Sequence, residues 1–229
     1  MRNRILFVLL SISTLTFAQI DEDKSKWIIK WNTTSAIDII TFPTIQLSIE
    51  KRIYDYLSIS GEAGLQLYNI GYKPDTSFIN PQGFKINIEC RIYLFKLIKP
   101  DLAGKKQGLY IGLQPFYRQN QYTSSISYLI KPDTINWKED NFGVKNKTYG
   151  INNTVGFQRS FLDHFIMDCY LGIGIMQRNV KNTNREYNKN LDNLSEPIDL
   201  SINSGYFDLR ESSGVSVNFI LGFRVGYIF

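Results

Sequence analysis

The sequence predicts an all-β chain: a closed antiparallel transmembrane β-barrel of eight strands, preceded by a cleaved signal peptide at 1–18 and occupying 19–229. Three observations predict it. Apolar residues recur at every second position in eight separate segments, and side chains alternate faces along a strand. One of the two faces so defined is almost free of charge. The links between the segments alternate between short and long.

Composition narrows the field. The 229 residues hold 26 Lys+Arg, 21 Asp+Glu, one His and two Cys. No uncharged apolar run reaches the ~18 residues of a spanning helix. Two cysteines do not make a disulfide scaffold, and a single His excludes His-rich metal sites. Arg2 and Arg4, the apolar stretch Ile5–Phe17 and the small-residue site Thr16-Phe17-Ala18 before Gln19 form the three-part layout of a secretory leader. No Cys follows that site, which argues against a lipid anchor there. Removal of residues 1–18 leaves 24 basic residues against 21 acidic ones, a net charge of +3, too small a margin to support nucleic-acid binding.

The first strand is the weakest: Trp27, Ile29 and Trp31 against Lys30, Asn32 and Thr34. The second sets Ile45, Leu47, Ile49 and Ile53 against Gln46, Ser48, Glu50 and Arg52. The third sets Ile59, Ala63, Leu65 and Leu67 against Ser58, Ser60, Glu62 and Gly64. The fourth sets Phe84, Ile86, Ile88, Cys90, Ile92 and Leu94 against Lys85, Asn87, Glu89 and Arg91. The fifth is short, at Leu109, Ile111 and Leu113, and so is the sixth, at Ile151, Val155 and Phe157. The seventh sets Phe165, Met167, Cys169, Leu171, Ile173 and Ile175 against Asp168, Tyr170, Gly172 and Gly174. The eighth is the clearest, apolar at every odd position from Val215 to Phe229. No segment outside the leader shows a helical period.

Tyr54-Asp55-Tyr56 and Phe161–His164 are short turns, whereas Lys96–Gln107 is longer. Asn69–Gly83, Gln119–Lys147 and Gln177–Ser212 read as large polar loops, and Ile37–Phe42 as a short exception. Ser125–Leu129 is itself β-like. It either lengthens the fifth and sixth strands beyond the membrane or adds a hairpin that makes ten strands.

A sheet in lipid must close, because hydrocarbon offers no partner for edge N–H and C=O groups. The apolar face points outward on three grounds. Its only charges, Lys51 and Arg159, lie near short turns where they can snorkel. Aromatics gather at that end: Trp27, Tyr54, Tyr56, Phe95, Phe161 and Phe165, with Tyr227 and Phe229, as an interfacial girdle. The other face holds charges and glycines, which suits a narrow lumen.

The Phe17-Ala18-Gln19 leader, eight amphipathic strands and the closing Phe223-Arg224-Val225-Gly226-Tyr227-Ile228-Phe229 resemble small outer-membrane barrels of the OmpA/OmpX type, in the style of porin-like families of Bacteroidota. The stretch from Lys30-Trp31-Asn32 through Glu50-Lys51-Arg52 to Ser60-Gly61-Glu62 carries the same resemblance. It implies a Gram-negative outer-membrane location with both mature termini periplasmic, outer-membrane lipid as surroundings, and a monomer. It also implies that Phe223, Val225, Tyr227 and Phe229 form the signal read by the barrel-assembly machinery. No peptidoglycan-binding pattern follows the barrel.

The polar face supplies four acids, Glu50, Glu62, Glu89 and Asp168, and six bases, Lys30, Arg52, Lys85, Arg91, Arg118 and Arg224. With Asp55 centring its turn, Glu50 faces Ser60 and lies diagonal to Glu62. Neighbouring carboxylates need cations between them, so an ion-paired plug is expected. A conducting pore is the alternative. Paired catalytic carboxylates, a His164–Asp163 hydrolase, a dinucleotide site at Leu171–Gly174 and a Ca²⁺ site at Asp192, Asn193, Glu196 and Asp199 are all weaker readings, each lacking partners or spacing. Cys90 and Cys169 lie on non-adjacent strands, too far apart to bridge. The expectation is a non-enzymatic protein with no cofactor or metal and no nucleic-acid partner. Its role is structural or in surface recognition, through loops 69–83, 119–147 and 177–212, with an unspecified extracellular partner. A small porin and a soluble secreted barrel binding a hydrophobic ligand are the alternatives.

Overall fold

The computed structural model of the chain describes residues 27–38, 41–66, 79–94, 108–131, 136–161, 164–188, 190–194 and 211–229. The leader, Phe95, the Lys96–Gln107 link, most of loop 69–83 and residues 195–210 lie outside them. Eight strands close one ring: β1 (Trp27–Asn32), β2 (Thr44–Tyr54), β3 (Leu57–Gln66), β4 (Ile79–Tyr93), β5 (Gly108–Ile130), β6 (Trp137–Phe161), β7 (Phe165–Thr183) and β9 (Ser212–Ile228). The short β8 (Asp192–Leu194) pairs with the tip of β5, outside the ring. Within the ring every pairing is antiparallel between successive strands, and β1 closes on β9.

The register fixes the barrel's geometry. A row of paired residues runs Arg224, Asn32, Gln46, Gly64, Lys85, Arg118, Thr148, Arg178 and back to β9 at Gly214. It returns ten residues from its start, a shear of ten for eight strands. That combination implies a strand tilt of ~40°, so each residue climbs ~2.5 Å along the axis.

The odd-numbered face of β5 and β6 shows where an apolar girth ends. Leu109, Ile111, Leu113 and Tyr117 point outward, then Gln119, Gln121, Thr123 and Ser125 take over; across the pair, Phe157, Val155, Ile151 and Tyr149 give way to Lys147 and Lys145. At the same height the inner face turns apolar, where Tyr122, Phe142, Val144 and Val180 pack as a buried cluster. This exchange of polarity explains why 119–147 is not a loop. β5 and β6 run 23 and 25 residues as one hairpin, and ~10 residues cross a membrane. The upper halves stand ~30 Å beyond the apolar girth. The ten-stranded alternative is thereby excluded among the described residues: Ser125–Leu129 lengthens β5. Gln177–Thr183 likewise belongs to β7.

β1 departs from expectation in the opposite sense, stopping at Asn32 after six residues. Thr33 N donates to Phe223 O at 3.0 Å, and Phe223 N donates to Thr34 Oγ1 at 3.1 Å, a side chain replacing the next ladder partner. Ser35 N donates to Asn32 Oδ1, and Ser35 Oγ donates to Asn32 O and Thr44 O. Short polar side chains compete with the sheet for backbone groups, and here they turn Thr34–Ile37 into a 3₁₀ turn. Beyond the turn, Phe42 is buried and Asp38 lies beside Lys85 in the lumen. Six residues rise only ~15 Å at this tilt. Above Phe223, β9 pairs with β7 alone among the described residues; the 3₁₀ turn Thr34–Ile37 lies against both β9 and β2 there, and beyond it the wall is one strand short, a window ~4.8 Å wide.

Candidate functional site: a filled lumen below an open vestibule

The rim at Asp55–Tyr56, Phe161 and His164 carries the aromatics. Tyr54 stacks on Tyr56 at 5.8 Å between centroids, Phe161 meets Phe165 at 5.7 Å, and Phe165, Tyr227 and Phe229 continue the belt at 5.6 and 5.0 Å. Lys51 Nζ lies 5.0 Å above the Trp27 ring, and His164 stacks on Tyr227 at 5.5 Å. Phe223 and Val225 face the same outer side, half-buried beside β1. Cys90 and Cys169 lie on that surface too, free and exposed.

Inside this rim Ile28, Ile166 and Ile228 close the bottom of the lumen as an apolar trio. Above it lies a buried ionic layer. Lys30 Nζ donates to Glu50 at 2.5 Å, to Asp168 at 2.9 Å and to Gln158 Oε1 at 2.7 Å. Arg91 bridges Glu50 at 3.0 Å, Asp168 at 2.9 Å and Glu89 at 2.5 Å. Arg224 reaches Glu62 at 2.7 Å, Asp168 at 3.4 Å and Glu89 at 3.6 Å. Lys30, Glu50, Arg91 and Asp168 are fully buried. The β2–β3 register places Glu50 opposite Ser60 and Ser48 opposite Glu62.

Three sequence-derived members stand apart. Arg52 forms no ion pair among the described residues; it lies over the Tyr93 ring at 5.5 Å, with Nε and Nη2 buried and unpartnered. Its parity is right, but it sits one step nearer the rim than Glu50. Lys85 pairs not with a strand carboxylate but with Asp38, at 2.7 Å, and donates to Phe42 O at 2.7 Å. Arg118 donates to Met176 Sδ at 3.0 Å and Asn218 Oδ1 at 3.3 Å and has no carboxylate within ion-pair reach among the described residues.

Several members escape a search by charge. Tyr93 OH donates to Glu50 Oε1 at 2.7 Å and Tyr110 OH to Asp168 Oδ1 at 2.8 Å, satisfying the oxygens the cations leave over. Tyr170 carries the Arg224 guanidinium over its ring at 3.8 Å and accepts from Asn32 Nδ2 at 3.0 Å. Tyr110 pairs directly across from Gly156, and Tyr170 across from Gly222. A Cβ at either glycine would overlap the ring. Gly156 and Gly222 are thus the floor on which these two tyrosines lie flat. The signal for this was a Tyr–Gly pairing at shared parity. Higher up, Asn152 Nδ2 donates to Gln114 Oε1 at 3.1 Å and Asn218 Nδ2 to Asn152 Oδ1 at 2.8 Å, an amide layer that ends the packed section.

Beyond the amides the lumen opens into two adjoining cavities of about 320 and 290 Å³, which share Thr41, Arg118 and Phe219. No group of His, Cys, Asp and Glu among the described residues could hold a metal.

No protein-family model matches the chain, and a search of curated proteins finds no match. Among solved structures, the chain is similar to a major outer membrane protein from Thermus thermophilus, at 14% identity and a TM-score of 0.44, covering 90% of this chain and 99% of that one.

Proposed function

We propose that the chain is an outer-membrane β-barrel with a structural or surface-recognition role and a closed lumen. The observation that carries this reading is its inverted polarity. Leucine, isoleucine, valine and phenylalanine stand exposed around the girth, while lysine, arginine and carboxylates fill the centre. A water-soluble barrel with that surface would present a continuous apolar girdle to solvent, far beyond the few hundred Å² typical of soluble monomers. Hydrocarbon removes that cost.

The aromatic rim lies at the periplasmic interface, with both mature termini on that side, and Phe223, Val225, Tyr227 and Phe229 serve as the assembly signal. The β5–β6 hairpin then projects from the cell surface, where its polar outer face suits contact with an extracellular partner. The ionic layer works as a plug: three cations and four carboxylates within mutual reach leave no continuous water path through an eight-stranded barrel. The proposed role is non-catalytic; the one His, His164, stacks on Tyr227 at the aromatic rim, apart from the lumen carboxylates.

Planar-bilayer recording on the purified, heat-modifiable protein tests the plug. Silent membranes are expected; steady ohmic openings would replace it with a diffusion pore. Recovery of the chain in the soluble periplasm would sink the membrane reading altogether.

A further inference from the structure

The wall window and the upper cavities belong to one feature. β9 has no partner above Phe223 on its β1 side among the described residues, and its outer side chains become barer there: Leu221 is 77% and Phe219 64% exposed. They pair across β7 with Leu171 and Ile173, in the apolar girth, so the window faces hydrocarbon. Phe219, Ile220 and Leu221 also line the larger cavity, together with Ile37 from the 3₁₀ turn. The cavity therefore continues from the lumen into the window.

At its upper end the cavity meets a row of cations. Lys85 pairs in register with Arg118, Arg118 with Thr148, and Thr148 with Arg178, all on the inner face of β4 to β7. Among the described residues one carboxylate, Asp38, forms an ion pair with this row, at Lys85, and its charge also reaches Arg118. The row sits where the outer face changes from Tyr117 to Gln119 and from Ile175 to Gln177, the height of lipid headgroups. Below it, the ionic plug blocks passage.

We propose that this vestibule binds an anionic single-chain amphiphile, its carboxylate or phosphate head on Arg118 and Arg178 and its alkyl chain passing out through the window beneath Phe219 and Leu221. The site rests on the membrane reading above. A charged head fits a half-buried guanidinium that has no ion-paired carboxylate, a cavity of about 320 Å³ is within the range of small-molecule sites, and the apolar window spares the chain from water.

The test uses the full chain in nanodiscs of neutral phosphatidylcholine, with heat-modifiability confirming the folded barrel. Dodecanoate bearing a chain-end diazirine is photolysed and the labelled peptides mapped. Saturable labelling around Phe219–Leu221 is expected, competed by dodecanoate but not by dodecyltrimethylammonium. Dodecyl phosphate is the second arm: equal or stronger competition assigns the site to phosphate-headed lipids, and weaker competition to free fatty acids. Arg118→Gln weakens binding about tenfold or more, the loss expected for one charge-assisted hydrogen bond, and the more exposed Arg178→Gln provides the same test should the first variant fail to fold. Non-saturable labelling, equal competition by the cationic amphiphile, or unchanged affinity in a folded Arg variant overturns the site. A chain that shows no heat shift overturns the barrel reading instead.

Discussion

Replacing Arg91 by Met removes the cation that joins Glu50, Asp168 and Glu89. Its Nη1 lies 3.0 Å from Glu50 and 2.9 Å from Asp168, and its Nη2 lies 2.5 Å from Glu89. Glu50 keeps Lys30 and Tyr93, and Asp168 keeps Lys30 and Tyr110. Glu89 fares worst, left with Thr154 at 2.7 Å and Arg224 at 3.6 Å. Breaking a buried ion pair by removing one partner typically costs ~3–5 kcal/mol, because the orphaned charge stays out of water. Arg91→Met should therefore lower stability by that amount in urea-titrated folding into lipid vesicles, read by the gel shift between folded and unfolded bands. Adding Glu89→Gln removes the worst-placed charge and should restore ~1–3 kcal/mol, the coupling expected of contacting residues. A single variant within ~0.5 kcal/mol of the parent, as a surface site would be, would refute the idea that ion pairing organises the lumen.

Further outcomes follow from packing. Gly222→Val should destabilise the barrel by ~1–3 kcal/mol as Tyr170 is forced off its floor, whereas Gly61→Ala, with nothing near its Cβ, should shift the same urea midpoint little. In proteoliposomes, a membrane-permeant pyrene maleimide should label Cys90 and Cys169 while a charged impermeant thiol reagent should not; the reverse pattern would place these strands the wrong way round. Phe142→Ala, in the cluster with Tyr122, Val144 and Val180, should open the projecting hairpin to limited proteolysis at a local cost of ~3–5 kcal/mol. The gel shift of the barrel should survive, and its loss would show that hairpin and barrel fold as one unit.

Much of this architecture was legible because a strand's period is two and the two faces differ in polarity. The Tyr54-Asp55-Tyr56 turn even fixed a register, setting Glu50 opposite Ser60. What parity does not encode is height. Above Tyr117 and Tyr149 the apolar and polar faces swap, as the proposed passage from lipid to water requires, and a search for one constant apolar face reads the hairpin as a loop. Height also separates Arg52 and Arg118 from the carboxylates they share a face with. Asp38 was invisible for another reason: it reaches the lumen from a turn made by Asn32, Thr34 and Ser35 side chains, which no periodicity announces. Tyr93, Tyr110 and Tyr170 carry no formal charge; Tyr110 and Tyr170 further depend on facing glycines across the sheet.

A nitroxide scan along β5 from Leu109 to Ser125 tests the orientation of the barrel most directly. Oxygen accessibility in proteoliposomes should peak at Leu109, Ile111, Leu113, Pro115 and Tyr117 and fall at the even positions between, and beyond Gln119 the odd positions should become accessible to an aqueous nickel reagent. Oxygen maxima at Tyr110, Gly112 and Gln114, with the aqueous reagent reaching Ile111 and Leu113, would turn the barrel inside out and contradict the account.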